Sequence, residues 1–333
     1  MTFSRTVLPT GQTTCHDVDG RDVPCSGSGQ DAAFASPLLP AGDRFVASGP
    51  DLVADALTGL VWPRDAGLAG FPMPWAEALA FAAGWARDGR FGRTDWRLPN
   101  RRELRSLLSY GAARPALPPG HPFQNVFLGW YWTSTTAAPA PGYAWYVHME
   151  GGRMFYGRKD QDCLCWPVAG ETLLPRTGQT RCFDGAGEGI TCAGTGQDGE
   201  LLRGTLWPTP RFETRDANVL DRLTGLLWAR AADAAKGTVS WAEALDIAAA
   251  SGEGWRLPNI NELESLVDAG SAFPALPAGH PFTHVGEAYW SSTTSAFEKN
   301  WAHALYLHKG AVGVGFKSGW DFLVWPVCGP ENI

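Results

Sequence analysis

Cys163-Leu164-Cys165 brings two thiols within two residues of each other, the arrangement a sulfur-based metal or redox site would use. Their counterparts later in the chain are Phe322 and Val324, so one of the two is expected to be buried as a small hydrophobe rather than to react. The histidines also come in related pairs. His121 and His280 each precede Pro-Phe in Gly-His-Pro-Phe turns, which predicts a turn-fixing role over metal or acid–base work. His148 and His308 read as matching strand ends, and His303 with His308 and Glu298 is the set that would have to converge to make a shared site. Arg97 and Arg256 are expected to meet the carboxylates of Glu103 and Glu262, which is scaffold chemistry. No nucleophile elbow, phosphate loop or dinucleotide fingerprint stands in the context it needs. The expectation is therefore no catalytic residue, no metal and no cofactor.

These side chains recur because the chain repeats itself. Trp96-Arg97-Leu98-Pro99-Asn100 returns as Trp255-Arg256-Leu257-Pro258-Asn259, and Thr58-Gly59-Leu60 returns as Thr224-Gly225-Leu226. Gly120 to Phe123 returns as Gly279 to Phe282, and Tyr131-Trp132-Thr133-Ser134-Thr135-Thr136 as Tyr289-Trp290-Ser291-Ser292-Thr293-Thr294. Ordered blocks at nearly one offset mean a duplicated globular domain, not a short-period solenoid. The boundary is read as 1–170 against 171–333, each copy opening with a polar module (1–50 and 171–215) before its core (51–170 and 216–333).

The net charge of -7 argues against a nucleic-acid partner, and no run of Lys and Arg offsets it. No apolar stretch is long enough for a transmembrane helix. Among the 7 cysteines, Cys15 with Cys25 and Cys182 with Cys192 keep the same spacing inside Gly- and Asp-rich segments. Each pair reads as a local disulfide; zinc is the rival, but neither pair has further Cys or His at short ligand spacing. Cys163, Cys165 and Cys328 leave an odd thiol count, so at least one is free or pairs outside the chain. Disulfides predict an extracellular or cell-surface protein, and since Met1-Thr2-Phe3-Ser4-Arg5 leads into no apolar region, a leader is expected to have been removed.

Two short helices per copy are predicted. Ser240 with Glu243 forms a capping box before Trp241, and Pro74 holds the same place in the first copy. Asn100 with Glu103, and Asn259 with Glu262, open the second helix. The period then becomes two, with strands at Tyr289–Ser291, Leu305–His308, Val312–Phe316 and Phe322–Val327, and a turn at Lys309-Gly310. The first copy runs in parallel through Tyr131-Trp132, Trp145–His148, the turn at Gly151-Gly152, and Leu164–Val168. The fold class is α+β, each copy two helices followed by an antiparallel meander.

The ordered set Asp55–Trp62, Trp75–Leu79, Trp96–Leu104, Tyr131–Thr135 and Trp166-Pro167-Val168, with its second-copy equivalents, resembles the C-terminal domain of the Legionella collagen-like adhesin. The resemblance covers most of both copies, although that family's closing strand more often reads Val-Arg-Cys-Val-Arg. It implies a C-type-lectin-like unit, related to the formylglycine-generating-enzyme branch and to variable proteins of diversity-generating retroelements, whose ligand surface lies in late strands and loops. Fold likeness by itself assigns no ligand.

Between their shared blocks the copies diverge over Ala137–Cys165 and Ser295–Val324, where Arg153-Met154-Phe155-Tyr156-Gly157-Arg158 is set against Val312-Gly313-Val314-Gly315-Phe316-Lys317. Divergent positions are free to face a ligand. Phe297, Glu298, Asn300, Trp301, His303, Tyr306, Phe316, Lys317 and Trp320 combine aromatic bodies with polar tips, and they form the expected recognition surface. The functional expectation is a non-enzymatic adhesion protein binding a glycan or a protein at a cell surface. A structural subunit of an extracellular assembly and a thiol or copper oxidase using Cys163 and Cys165 are the alternatives, and the oligomeric state is left open.

Overall fold

The computed structural model of the chain describes residues 7–34 and 41–329, so the opening segment read for a leader lies outside the described residues. In chain order the first module holds β1 (Cys15–His16) and β2 (Asp22–Val23). The first core follows with α1 (Ala41–Arg44), β3 (Phe45–Ala47), β4 (Leu52–Asp55), β5 (Val61–Pro63), α2 (Trp75–Arg87), α3 (Arg101–Arg105), β6 (Trp130–Thr136), β7 (Tyr143–His148) and β8 (Met154–Arg158). The second module holds β9 (Cys182–Phe183), β10 (Gly189–Ile190) and α4 (Asp198–Leu201). The second core has β11 (Phe212–Arg215), β12 (Asn218–Asp221), β13 (Leu226–Ala229), α5 (Trp241–Ala249), β14 (Trp255–Arg256), α6 (Ile260–Ser265), β15 (Tyr289–Thr294), β16 (Trp301–Tyr306), β17 (Ala311–Phe316) and β18 (Val327–Cys328). The α+β class is borne out.

The helices start where the capping residues dictate. Asn100 accepts from the amides of Arg102 and Glu103 while Glu103 reaches back to the Asn100 amide, and Asn259 with Glu262 repeats that box at α6. Ser240 and Glu243 close a third box at α5, whereas Pro74 opens α2 through its fixed φ alone. Arg97 Nη2 meets Glu103 Oε1 at 2.5 Å and Arg256 Nη2 meets Glu262 Oε1 at 2.5 Å, so the expected scaffold pairs are present and tie each Arg-Leu-Pro segment to its helix. Sequence reading missed the antiparallel strands ahead of α2 and α5, β3–β4–β5 and β11–β12–β13, because they are only three or four residues long and end in tight turns.

The chain forms two compact units, and they are not the two sequence copies. One joins Met1–Pro37 to Trp207–Ile333, and the other is the continuous Leu38–Leu206. The boundary read near residue 170 divides the repeats, but it assigns each polar module to the wrong core. The first module packs on the second core, and the second module packs on the first core. The physical reason lies in the polar contacts described below, which join each module to the core of the other copy.

In each unit the late meander is antiparallel, β6–β7–β8 in one and β15–β16–β17 in the other. Register corrects two sequence pairings. Tyr143 faces Arg158 and Trp301 faces Phe316, so Arg158 corresponds to Phe316 and Lys159 to Lys317, one residue away from the alignment expected above. Because side chains alternate along a strand, that slip exchanges the faces of every residue in the segment. Likewise Tyr131 faces Val147 and Tyr289 faces Leu305, which matches His148 with Tyr306 and not with His308. The closing strands shrink to bridges, Met73 with Cys163 and Val239 with Phe322, plus the short β18.

Two equivalent cores result. Trp75, Leu79, Leu98, Trp132, Cys163 and Cys165 pack in one, and Trp241, Leu245, Leu257, Trp290, Phe322 and Val324 in the other. Cys163 and Cys165 lie two residues apart in extended backbone and so share a face, which is why both are buried rather than one.

Candidate functional site

The residues expected at the recognition surface separate into three groups. Phe297, Phe316 and Trp320 are exposed at 41%, 39% and 67%, and Glu298 is exposed beside them. Asn300 and Trp301 are half-buried; the Trp301 ring lies 5.7 Å from the Phe316 ring, and the Lys317 amide donates to Asn300 O at 3.0 Å. These six residues gather where β16 begins and β17 ends. Trp320 stands in the loop after β17, which carries one residue more than its first-copy counterpart Asp160-Gln161-Asp162.

Three expected members do not belong there. His303 is 1% exposed in the middle of β16, whereas Glu298 is exposed ahead of that strand and His308 is half-buried beyond its other end. Tyr306 is half-buried with its ring 5.5 Å from Phe322, on the core side. Lys317 is fully buried against module carbonyls and the Trp241 ring, and the register matches it to the likewise buried Lys159. Among the described residues no group of three or more His, Cys, Asp or Glu could hold a metal ion.

Lys317 instead belongs to a lock between module and core. Its Nζ donates to His16 O at 2.9 Å and Asp17 O at 3.2 Å and sits 4.0 Å from the centre of the Trp241 ring. Gln12 Nε2 donates to Thr294 O at 2.6 Å while the Thr294 amide donates back to Gln12 Oε1 at 3.1 Å. Thr293 Oγ1 donates to Asp31 Oδ2 at 2.7 Å. The other unit repeats the lysine, glutamine and threonine side-chain contacts. Lys159 Nζ donates to Phe183 O and Asp184 O, each at 3.0 Å, over Trp75; Gln179 Nε2 donates to Thr136 O at 3.2 Å; and Thr135 Oγ1 donates to Asp198 Oδ2 at 2.7 Å. The two Thr-Thr blocks are therefore buried module seats. The identical spacing of Thr-Gly-Gln and Gly-Gln-Asp in both modules was the signal that could have found them.

Burial dominates the electrostatics of the locks. It pushes Asp31 and Asp198 up to about 6 against the hydrogen bonds of their threonines, and it pulls Lys317 down to about 7 and Lys159 down to about 8. His16 is lowered by burial and by the nearby Lys299 and Lys317. The modules are closed as expected, by Cys15–Cys25 and Cys182–Cys192. Cys163, Cys165 and Cys328 are free and buried, and burial pushes the Cys163 thiol to about 12 and raises Cys165 and Cys328 as well. Sequence reasoning also missed a groove of about 750 Å³ between α2 and the second module, lined by Leu79, Ala80, Ala83, Ile190 and Gly194 among others. His121 and His280 stack on Phe123 and Phe282 in their turns, the fixing role expected of them.

Two α+β cores, each completed by a disulfide-closed module, define a duplicated-domain scaffold. The profile of the Lcl C-terminal domain matches residues 51–169 and again 217–328, and the chain belongs to that family, carrying its domain twice in tandem. Neither curated proteins nor solved structures gave a match. No helix among the described residues is long and apolar enough to cross a membrane.

Proposed function

We propose that the chain is a non-enzymatic extracellular adhesion protein with two C-type-lectin-like units, recognising a glycan or a protein at a cell surface through Phe297, Glu298, Asn300, Trp301, Phe316 and Trp320. One observation carries this reading: three large aromatic residues stay exposed at one end of the β16–β17 hairpin, beside a carboxylate and an amide, where the two copies differ most. Exposed aromatics grouped with polar tips mark recognition surfaces. The two disulfides fit an oxidising, extracellular setting. Burial of Cys163 and Cys165 in the core, which disfavours the thiolate, speaks against thiol chemistry.

The full-length chain is screened on glycan and protein arrays beside a Phe316→Ala, Trp320→Ala variant, with Phe71→Ala as an off-site control of equal or greater exposure. The expected result is a hit lost in the double variant and kept in the control. Equal signals from the wild type and the double variant refute the site. As a retroelement variable protein, its gene would have beside it a reverse-transcriptase gene and a near-copy of its 3′ coding segment differing at adenines; absence of both removes that part of the reading.

A further inference from the structure

We propose that each core is a socket for a disulfide-closed module and that a second copy of this chain supplies the module in trans, linking copies by exchange of their first modules. Three observations carry this. The two sockets use the same atoms: a lysine ammonium on two module carbonyls, a threonine hydroxyl on a module aspartate, and a threonine carbonyl on a module glutamine. Both modules lie outside the family-matched spans 51–169 and 217–328, and each is seated on the core it does not precede. Finally, the first module is joined to its socket only through Leu38–Leu206, which is a compact unit of its own.

The lock contacts hold the first module on its seat, and its covalent link to that core runs through a separate compact unit. What the module buries is largely polar: Thr10, Gln12, His16, Gln30 and Asp31. It has too small an apolar core to collapse elsewhere, and its disulfide keeps the plug in shape when it is released. Exchange between copies breaks and remakes an identical set of bonds, which is the condition for domain swapping. The balance then rests on the module's effective concentration at its own seat, which sets the chain concentration at which copies begin to exchange.

The test uses the native chain. Asp22 Oδ1 lies 3.1 Å from Lys299 Nζ across the module–core contact, within reach of zero-length carbodiimide coupling. Isotopically light and heavy chains, their disulfides left oxidised, are unfolded, mixed, refolded and coupled, and the Asp22–Lys299 peptide is read by mass spectrometry. The expected result is a mixed light–heavy cross-link whose share grows about tenfold for a tenfold rise in refolding concentration while exchange is still the minor outcome. A cross-link that forms but stays light–light and heavy–heavy at every concentration overturns the exchange. Absence of any Asp22–Lys299 cross-link overturns the seating itself. Both outcomes are read from the cross-link alone and the array signal from ligand binding alone, so failure of one reading is distinguishable from failure of the other.

Discussion

Replacing Asp31 by Asn tests the physics of the module seat most directly. In the folded chain burial raises this carboxyl from its ordinary 3.8 to about 6, even though Thr293 donates to it at 2.7 Å. A raised carboxyl pKa means that the folded state holds the proton more tightly than the unfolded state. The associated stability is fully present below 3.8 and is lost as the pH rises through about 6. Across that span, at about 1.4 kcal/mol per pH unit, the buried charge costs about 3 kcal/mol at neutral pH. The figure is net, since the threonine hydrogen bonds that favour the charge already act on the pKa. Asparagine keeps an acceptor for Thr293 and removes the charge. Asp31→Asn is therefore expected to be more stable than wild type by up to about 3 kcal/mol at pH 7, with the gap closing towards pH 4. Guanidinium unfolding followed by tryptophan fluorescence, at pH steps from about 4 to 8, measures the gap. A gap constant with pH, or one that opens towards acid, refutes the argument. Asp198→Asn, in the second module's seat, is expected to behave the same way.

Three further outcomes are expected. Arg97→Ala leaves the carboxylate of Glu103 buried without its partner and lowers stability by about 3–5 kcal/mol, read from the denaturation midpoint. Cys15→Ser opens a loop closed by a disulfide worth about 2–3 kcal/mol; because that module sits on the second core, hydrogen exchange rises at Tyr289–Thr294 and stays unchanged at Trp130–Thr136. The opposite pattern would place the module on its own copy. Cys163, Cys165 and Cys328 resist Ellman's reagent in the native chain and react together on unfolding; fast labelling of Cys163 or Cys165 under native conditions would reopen thiol chemistry.

Local signals were the legible part of this chain. Capping boxes at Asn100, Ser240 and Asn259 fixed where helices begin, since those bonds involve neighbours three residues apart. The paired cysteines and the arginine–glutamate pairs were equally local. What sequence could not carry was partnership over long separation. Two copies with interchangeable seats give either pairing of module and core the same local signature, so 1–170 and 171–333 looked like the folded bodies. The recognition surface suffered from a subtler limit. With only two copies and a divergent hairpin, nothing pinned the alignment between Arg153 and Lys159, and a slip of one residue moved Lys317 from core to surface. Its true partner Lys159, identical and with the same job, would have excluded it.

The corrected register also ties the exposed cluster to the module beneath it. Phe316 is followed directly by Lys317, whose ammonium is held by carbonyls of the first module. At the other side of the cluster, Lys299 pairs with Asp22, and Gly20 lies so close to the Asn300 amide that a Cβ there would come within 3.0 Å. Gly20 also has φ +82, so both its space and its backbone call for glycine. The segment Phe297–Trp301 and the end of β17 are thus braced by residues 16–22, more than two hundred and seventy positions away in sequence. A surface on loops needs such support to hold its aromatic groups in one arrangement and spare the entropy of ordering them on binding. Divergence of the exposed side chains leaves the buried part of the brace intact, because the hold of Lys317 on the carbonyls of His16 and Asp17 does not depend on them, whereas the exposed Lys299–Asp22 pair does.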